Sequence, residues 1–427
     1  MTRGNAVAIV FYYRKTARYS FNVLTGALED RLPPEAPISL YFPNTRDEFH
    51  QTLREAASTH RTVLACWSFF SMEFLENIAE LQDSRNAAPS GKIMHLAGGP
   101  HVTAETRETL RAGWDYAAVG EGEKIILDVI DGLLNGRDLK AIKGLAYLEG
   151  EQYCSNGAGE RMVLDDYPPF AVKHRRFNPI EITRGCIYAC RFCQTSYMFK
   201  ARFRHRSVDN ICRYVDALKQ RGMKAMRFIT PTCLSYGSQD HNVNLPAIEE
   251  LLRRVRETLG EGYGDIFFGS FPSECRPEHV TPEALQVLKR YVTNGNIIIG
   301  AQSGSERMLE RSMRGHDAES VRRACRVALE HGFQPNVDFI FGIPGETEED
   351  RRLSLVLARE LAALGARIHG HTFMPLPGTP FRNQPPGNVP PDYLVEFERL
   401  TSHGRFYGQW KKQIEWAQQL AHQRPTR

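Results

Sequence analysis

At 427 residues, with 42% hydrophobic and 24% charged residues and a net charge of +4, the chain is long enough for two to three cored domains, and its composition excludes disorder, collagen and coiled coil. The charge is small and Lys and Arg are spread along the chain, so no nucleic-acid partner is required. No apolar run approaches the ~20 residues of a membrane span and no leader pattern is seen, so a cytoplasmic location is expected.

Five short apolar runs, at 6–13, 38–42, 63–69, 93–99 and 116–119, alternate with stretches of helical periodicity at 20–32, 46–58, 70–83, 103–113 and 122–134. This alternation predicts a doubly wound parallel sheet over 1–135, with ligands beyond the carboxyl ends of its strands. Residues 136–178 loosen into a hairpin near 145–154, a glycine-rich turn and Asp165-Asp166-Tyr167-Pro168-Pro169, and are read as a linker. A second series follows over 179–380: strands near 180–183, 226–230, 266–271, 297–302, 336–343 and 368–374, with helices at 208–221, 245–259, 282–292, 319–330 and 348–364. Six such units suit an open β/α barrel, a partial TIM barrel, with functional groups at the carboxyl ends of its strands. Residues 381–427 are read as a C-terminal extension with helices near 393–400 and 409–419.

Nine scattered cysteines do not read as a disulfide framework, but three fall within eight residues in Gly185-Cys186-Ile187-Tyr188-Ala189-Cys190-Arg191-Phe192-Cys193. Three soft thiolates bind three irons of a cubane and leave the fourth open, which suits a catalytic [4Fe-4S] cluster better than a four-cysteine electron carrier. Zinc with a histidine is disfavoured, because His205 lies twelve residues past Cys193. The basic stretch with Arg202, Arg204, His205 and Arg206 reads as a solvated or phosphate-binding loop.

The motif, with Phe192 in its aromatic position, resembles that of the radical S-adenosylmethionine (SAM) superfamily. Further likeness lies in Gly300-Ala301-Gln302-Ser303-Gly304-Ser305-Glu306, Phe341-Gly342-Ile343-Pro344-Gly345-Glu346-Thr347 and Pro375-Leu376-Pro377-Gly378-Thr379-Pro380, segments similar to those of tRNA methylthiotransferases and cobalamin-dependent members. The resemblance implies reductive cleavage of SAM to a 5'-deoxyadenosyl radical, with an electron donor such as flavodoxin or ferredoxin. It places Thr230 and Thr232 near the SAM carboxylate or amine, Ser270 and Glu274 near the ribose, and Gln302 and Ser303 near the adenosine. The usual Gly-Gly-Glu after the second strand is replaced by Thr230-Pro231-Thr232, leaving the amine contact unassigned.

Gly98-Gly99-Pro100-His101 and Gly120-Glu121-Gly122-Glu123 resemble the strand-end loops of the cobalamin-binding domain that precedes such barrels, and Trp67-Ser68-Phe69-Phe70-Ser71-Met72 follows the third strand, where that class covers the lower face of the corrin; core aromatics under a sheet edge are the alternative reading. Glycines there let backbone approach a ligand. The Asp-x-His-x-x-Gly signature of histidine ligation to cobalt is absent, so none of His50, His60, His95 and His101 is expected on cobalt. The whole resembles uncharacterised archaeal and bacterial proteins with the same two domains. It implies methylation of an unactivated carbon; ring contraction or cyclisation, a tRNA methylthiotransferase and a non-enzymatic cobalamin sensor are the alternatives. A methylthiotransferase needs three more N-terminal cysteines, and only Cys66 and Cys154 precede the motif. The substrate, whether peptide, lipid, sugar or metabolite, is not legible. Cys233 and Cys275 follow the second and third barrel strands and read as buried small hydrophobes, with a hydrogen-donating role as the alternative.

Overall fold

The structure, a computed structural model, describes residues 7–422. The chain divides into two compact units, Met1–Asn178 and Pro179–Arg427.

The first unit is built on β1 (Val7–Phe11), α1 (Arg18–Arg31), β2 (Ile38–Tyr41), α2 (Arg46–Thr59), β3 (Thr62–Ser68), α3 (Phe74–Ala87), β4 (Ile93–Gly98), α4 (Pro100–Ala104), α5 (Thr106–Arg111), β5 (Tyr116–Ala118), α6 (Gly122–Asn135) and the hairpin β6 (Leu145–Glu149) and β7 (Gln152–Ser155). The sheet order is β2-β1-β3-β4-β5-β6-β7; β1 to β5 are parallel and the hairpin antiparallel. Every residue of β1 is buried, because Val7, Ile9 and Phe11 enter one apolar cluster and Ala8 and Val10 the other. A strand covered on both faces reads as a continuous apolar run. The chain order reverses between β1 and β3, and in open α/β sheets ligands bind outside the carboxyl ends at such a switch point.

Three expectations are corrected here. Ala6 of the first predicted strand lies outside the described residues, and Tyr12 and Tyr13 follow β1 as buried residues beyond its ladder. The helix expected over 103–113 is broken into α4 and α5, because Glu105 adopts φ −128° and ψ 51°. Residues 136–178, expected as a linker, are built into the first unit: beyond the hairpin, Glu29 of α1 accepts the backbone N–H groups of Lys173 and His174 at 2.9 and 2.6 Å, and Asn22 donates to Asn178 Oδ1 at 2.8 Å.

The second unit contains β8 (Ile180–Glu181), β9 (Thr183–Arg184), α7 (Gln194–Met198), β10 (Arg204–His205), α8 (Val208–Lys219), β11 (Ala225–Ile229), α9 (Leu245–Leu259), β12 (Asp265–Phe267), α10 (Pro282–Tyr291), β13 (Asn296–Gln302), α11 (Glu306–Arg311), α12 (Ala318–Glu330), β14 (Gln334–Phe341), α13 (Glu348–Leu364), β15 (Arg367–Thr372), α14 (Pro391–Ser402), β16 (Phe406–Tyr407) and α15 (Trp410–His422). Its barrel helices start sharply because each is capped: Ser207, Asn244, Thr281, Asp317 and Thr347 accept N–H groups of the first turns of α8, α9, α10, α12 and α13. The strands form two parallel sheets, β12-β11-β8 and β13-β14-β15-β16. An expected six-strand barrel thus gains a seventh parallel strand, β16, from the segment expected as an extension. At two residues it is too short to show a period. The pair β9–β10 stands apart, antiparallel. Among the described residues no helix is long and apolar enough to cross a membrane.

The two parallel sheets meet at β12 and β13 by irregular pairing. Cys275 N–H donates to Ile298 O at 2.7 Å, Gly300 N–H to Cys275 O at 3.0 Å and Ile298 N–H to Gly269 O at 2.8 Å. The buried Asn294 side chain closes the seam: it accepts from Phe268 N–H at 3.0 Å and donates to Phe268 O at 3.1 Å and Asn296 O at 2.7 Å. Removing one partner of a buried hydrogen bond leaves the other desolvated, at about 1–3 kcal/mol per group. Asn294→Ala is therefore expected to destabilise the second unit by roughly 2–4 kcal/mol, read as a lower urea midpoint.

Candidate active site

The cysteine loop leaves β9 through Gly185, at φ +84°, where a Cβ would collide with the carbonyl of Arg202. Glycine alone fits that turn and that approach. Cys186, Cys190 and Cys193 then line one cavity of about 450 Å³. Of the residues that sequence reading assigned to SAM, Phe192, Thr230, Thr232, Glu274 and Gln302 line the same cavity. Ser270 and Ser303 do not. Ser303 Oγ shares a hydrogen bond with Ser354 Oγ at 3.1 Å and accepts the Ser305 N–H, so it is a joint between β13 and α13. Ser270 is buried with an unpartnered Oγ away from the lining.

Burial pushes the Cys186 thiol up to about 11, while the backbone N–H of Tyr188 pulls the other way. Burial likewise raises Cys193, against hydrogen bonds from the Thr195 side chain and backbone. Such donors stabilise a thiolate once iron takes the proton's place. Arg314 was missed by sequence reading, since nothing marks it locally. Its buried guanidinium donates to Cys190 Sγ at 3.4 Å and to Gly300 O at 2.7 Å. Arg276, also missed, hydrogen-bonds Arg314 O, pairs with Glu278 at 2.5 Å and lies 3.5 Å over the centre of the Tyr188 ring. The loop is further pinned by Arg191 N–H to Ser312 O (3.1 Å), Phe381 N–H to Arg191 O (3.2 Å) and Gln194 Nε2 to Pro377 O (2.8 Å).

Gln302 ends β13 at φ +70°, where the register slips, and its side chain turns into the cavity. Thr230 Oγ1 donates to Thr232 O at 3.0 Å, whereas Thr232 Oγ1 is buried without a protein partner. An orphaned hydroxyl on a cavity wall fits a polar ligand. Asp338, His371 and Gln413 also line the cavity, and no sequence motif announced them.

In the first unit the expected cofactor contacts separate into two groups. Trp67 of β3 and Phe69 just beyond it are both 2% exposed within one apolar cluster of the sheet, the core-aromatic alternative, joined there by Val63 and Ala65 at alternate positions. His101 is equally buried, pairing with Ser71 Oγ at 3.1 Å against the Phe74 ring. Gly99 meets the Phe69 backbone and the Ser68 side-chain Oγ, and Gly120 lies against Gly159, so the chain itself fills the space their missing side chains leave; Gly122 faces Leu24. Pro100 begins α4, Glu123 is buried in α6, and Glu121 accepts from Met162 N–H at 3.4 Å. A Cβ at Gly98 would make ordinary contact, at 3.8 Å, with Ala118 Cβ and the Trp67 carbonyl; Ser68 is half-buried and Phe70, next along the loop, is 40% exposed. Ser68, Phe70 and Gly98 thus lie at the carboxyl ends of β3 and β4. The histidines are engaged elsewhere: His50 with Glu80 at 2.7 Å, His60 with Ser39 at 3.0 Å, and His95 with Trp67 Nε1 at 3.2 Å. Burial lowers both His95 and His101 to about 4.

Burial pushes the Glu274 carboxyl up to about 7 from an ordinary 4.5, against the pull of Arg314. The folded state thus holds a proton that the unfolded chain releases, so stability is greatest below pH 4.5 for this group and is lost as pH rises to 7. In cluster-free protein, Glu274→Gln is expected to flatten the pH dependence of unfolding over that interval, removing a slope worth about 3 kcal/mol. An unchanged slope by urea titration would count against this environment for Glu274.

Comparison with known proteins places this geometry. Residues 180–358 match the radical SAM superfamily profile. A putative methylthiotransferase of Methanocaldococcus jannaschii is 30% identical over 56% of this chain and 51% of its own length, and an uncharacterised methyltransferase of Pyrococcus horikoshii is 27% identical over 67% and 62%. The chain thus spans between half and two thirds of these curated relatives. Among solved structures, the radical SAM methyltransferase TsrM of Kitasatospora setae, seen with cobalamin and a [4Fe-4S] cluster, has a TM-score of 0.69 at 18% identity, covering 89% of this chain and 77% of its own. The cobalamin-dependent SAM radical enzyme OxsB has a TM-score of 0.65 at 18% identity, covering 83% and 52%. At that identity the likeness is one of fold. With the profile match falling on the unit that carries the three-cysteine cavity, residues 180–358 of this chain are a radical SAM superfamily domain.

Proposed function

We propose that this chain is a cobalamin-dependent radical SAM methyltransferase acting on an unactivated carbon. The observation that carries the reading is that one cavity wall bears three cysteines and no fourth, so a cubane held there keeps an iron free for SAM. When bound, the cluster supplies the electron that cleaves SAM to a 5'-deoxyadenosyl radical, and cobalamin supplies the methyl group. The chain's own part is to bind, orient and keep dry. Cys186, Cys190 and Cys193 ligate; Arg314 offsets the charge at Cys190; Phe192, Ile340 and Phe373 exclude water. Thr232, Glu274 and Gln302 offer the polar contacts for SAM, and the β3 and β4 loop ends, with Ser68, Phe70 and Gly98, those for cobalamin.

The names of several relatives favour a methylthiotransferase as the second reading. Against it, the cysteines before the motif are Cys66, buried in the first sheet, and Cys154, on its edge hairpin. They do not make a second three-thiolate site.

Anaerobically reconstituted protein is expected to hold about four irons and four sulfides, form 5'-deoxyadenosine, and pass label from methyl-labelled SAM to a product in extracts. Cys186→Ala, Cys190→Ala and Cys193→Ala should each abolish all of this, and cleavage retained by any one would remove the cluster assignment.

Bound cobalamin is expected without a histidine on its lower face, because His50 and His60 are held by Glu80 and Ser39, while His95 and His101, the latter with an Nε2 that has no hydrogen-bond partner, are both only 2% exposed. Electron paramagnetic resonance of the Co(II) protein should therefore lack the triplet splitting that a nitrogen ligand imposes. Splitting that vanishes on substituting His95 or His101 would overturn the expectation.

A further inference from the structure

His369 and His371 stand two residues apart on β15, which puts both imidazoles on one face of the strand. The parallel register sets Asp338 of β14 opposite His369. One ligand atom from each of Asp338, His369 and His371 lies within 4.8 Å of the other two, and all three residues are half-buried. Asp338 and His371 open on the same cavity as the cysteine loop. Each imidazole is held by neighbours that leave it little freedom. His369 Nδ1 bonds Asp338 Oδ1 at 2.9 Å, and its ring stacks on Tyr407 with centres 4.5 Å apart and planes within 8°. Gln413 accepts the Thr372 N–H at 2.8 Å through Oε1, which turns its Nε2 toward His371 Nδ1 at 3.2 Å.

We propose that Asp338, His369 and His371 bind a divalent transition-metal ion, Zn²⁺ or Fe²⁺, whose remaining coordination positions face the cavity. Two imidazoles and one carboxylate suit these ions, whereas Mg²⁺ and Ca²⁺ select all-oxygen sets. Two ligand atoms on one ion with bonds of about 2.0–2.2 Å stand roughly 3–3.5 Å apart, and His369 Nδ1 and Asp338 Oδ1 already stand 2.9 Å apart. Ligation therefore replaces the His369–Asp338 hydrogen bond and displaces the Gln413 contact, which is the weaker of the two by distance. Tyr407 keeps the His369 ring plane, the part that outer contacts play around bound metals. The open positions would take an oxygen of the substrate, a carboxylate, hydroxyl or carbonyl, and so fix its orientation. The site is independent of the thiolate cluster, since its donors are nitrogen and oxygen alone.

The test uses cluster-reconstituted protein dialysed against buffered free Zn²⁺, followed by assay of zinc, iron and sulfide and X-ray absorption at the zinc edge. The expected result is one zinc per chain beside an undiminished iron content, with nitrogen and oxygen neighbours and no sulfur. Asp338→Asn and His371→Gln should each weaken zinc binding by roughly tenfold or more while iron content, the check on folding, stays at the wild-type level. Zinc at background in the wild-type protein, a sulfur neighbour, or wild-type zinc affinity in both variants would overturn the proposal.

Discussion

Three thiols that serve one cluster must be held at fixed spacing, yet the loop that carries Cys186, Cys190 and Cys193 has no regular structure of its own between β9 and α7. Its geometry is imposed from outside. The Ser312 carbonyl, the Phe381 N–H and the Pro377 carbonyl take up its polar groups, and Arg314 bridges Cys190 Sγ to the Gly300 carbonyl on β13. All of these come from the half of the barrel after the β12–β13 seam. Closure of that seam, by Asn294 and the pairing of Cys275 with Ile298 and Gly300, is thus the condition on which the site rests.

What could be read from sequence follows from what leaves a periodic trace. The parallel strands of the first sheet are buried on both faces and show as apolar runs, and the barrel helices carry a cap and an amphipathic stripe, so α9 and α13 match the bounds read for them. Elements held by single long-range contacts leave none. β16 is two residues long and is fixed by pairing with β15 and by the Phe397 ring stacked 4.4 Å from Phe406. The stretch 136–178 looks irregular because the acceptors of its backbone groups, such as Glu29, lie far away in sequence. The site divides in the same way. The thiols sit in a local motif, whereas Arg276, Arg314, Asp338 and His371 meet them only through the fold.

The segments that carried the family resemblance turn out to be joints as much as ligand contacts. In Gly300–Glu306, only Gln302 reaches the cavity; Ser303 and Gly304 N–H engage Ser354, and Ser305 donates to Asp350 at 2.5 Å. Glu346 folds back to accept the Gly342 N–H at 2.9 Å, and Thr347 caps α13. Pro377 and Phe381 flank the cysteine loop itself. In the first unit Gly99 serves the same end, admitting the Phe69 backbone against the start of α4. A motif residue chosen for tight packing and one chosen for a ligand look alike in sequence, and only burial separates them.

Charge in the cavity ties its residues together. Two buried guanidiniums, Arg276 and Arg314, face Glu274 and the three thiols. Without iron, burial raises the Cys186 and Cys193 thiols, and Arg314 is left to draw on Glu274. Once the thiols ligate iron they become anionic, part of the Arg314 field is spent on Cys190, and the Glu274 proton is held more tightly. A cationic sulfonium and ammonium entering beside it act in the opposite sense and favour the carboxylate. Cluster loading and SAM binding, on the reading proposed for this cavity, therefore push the Glu274 carboxyl group in opposite directions, with Arg314 drawn on by both Glu274 and Cys190.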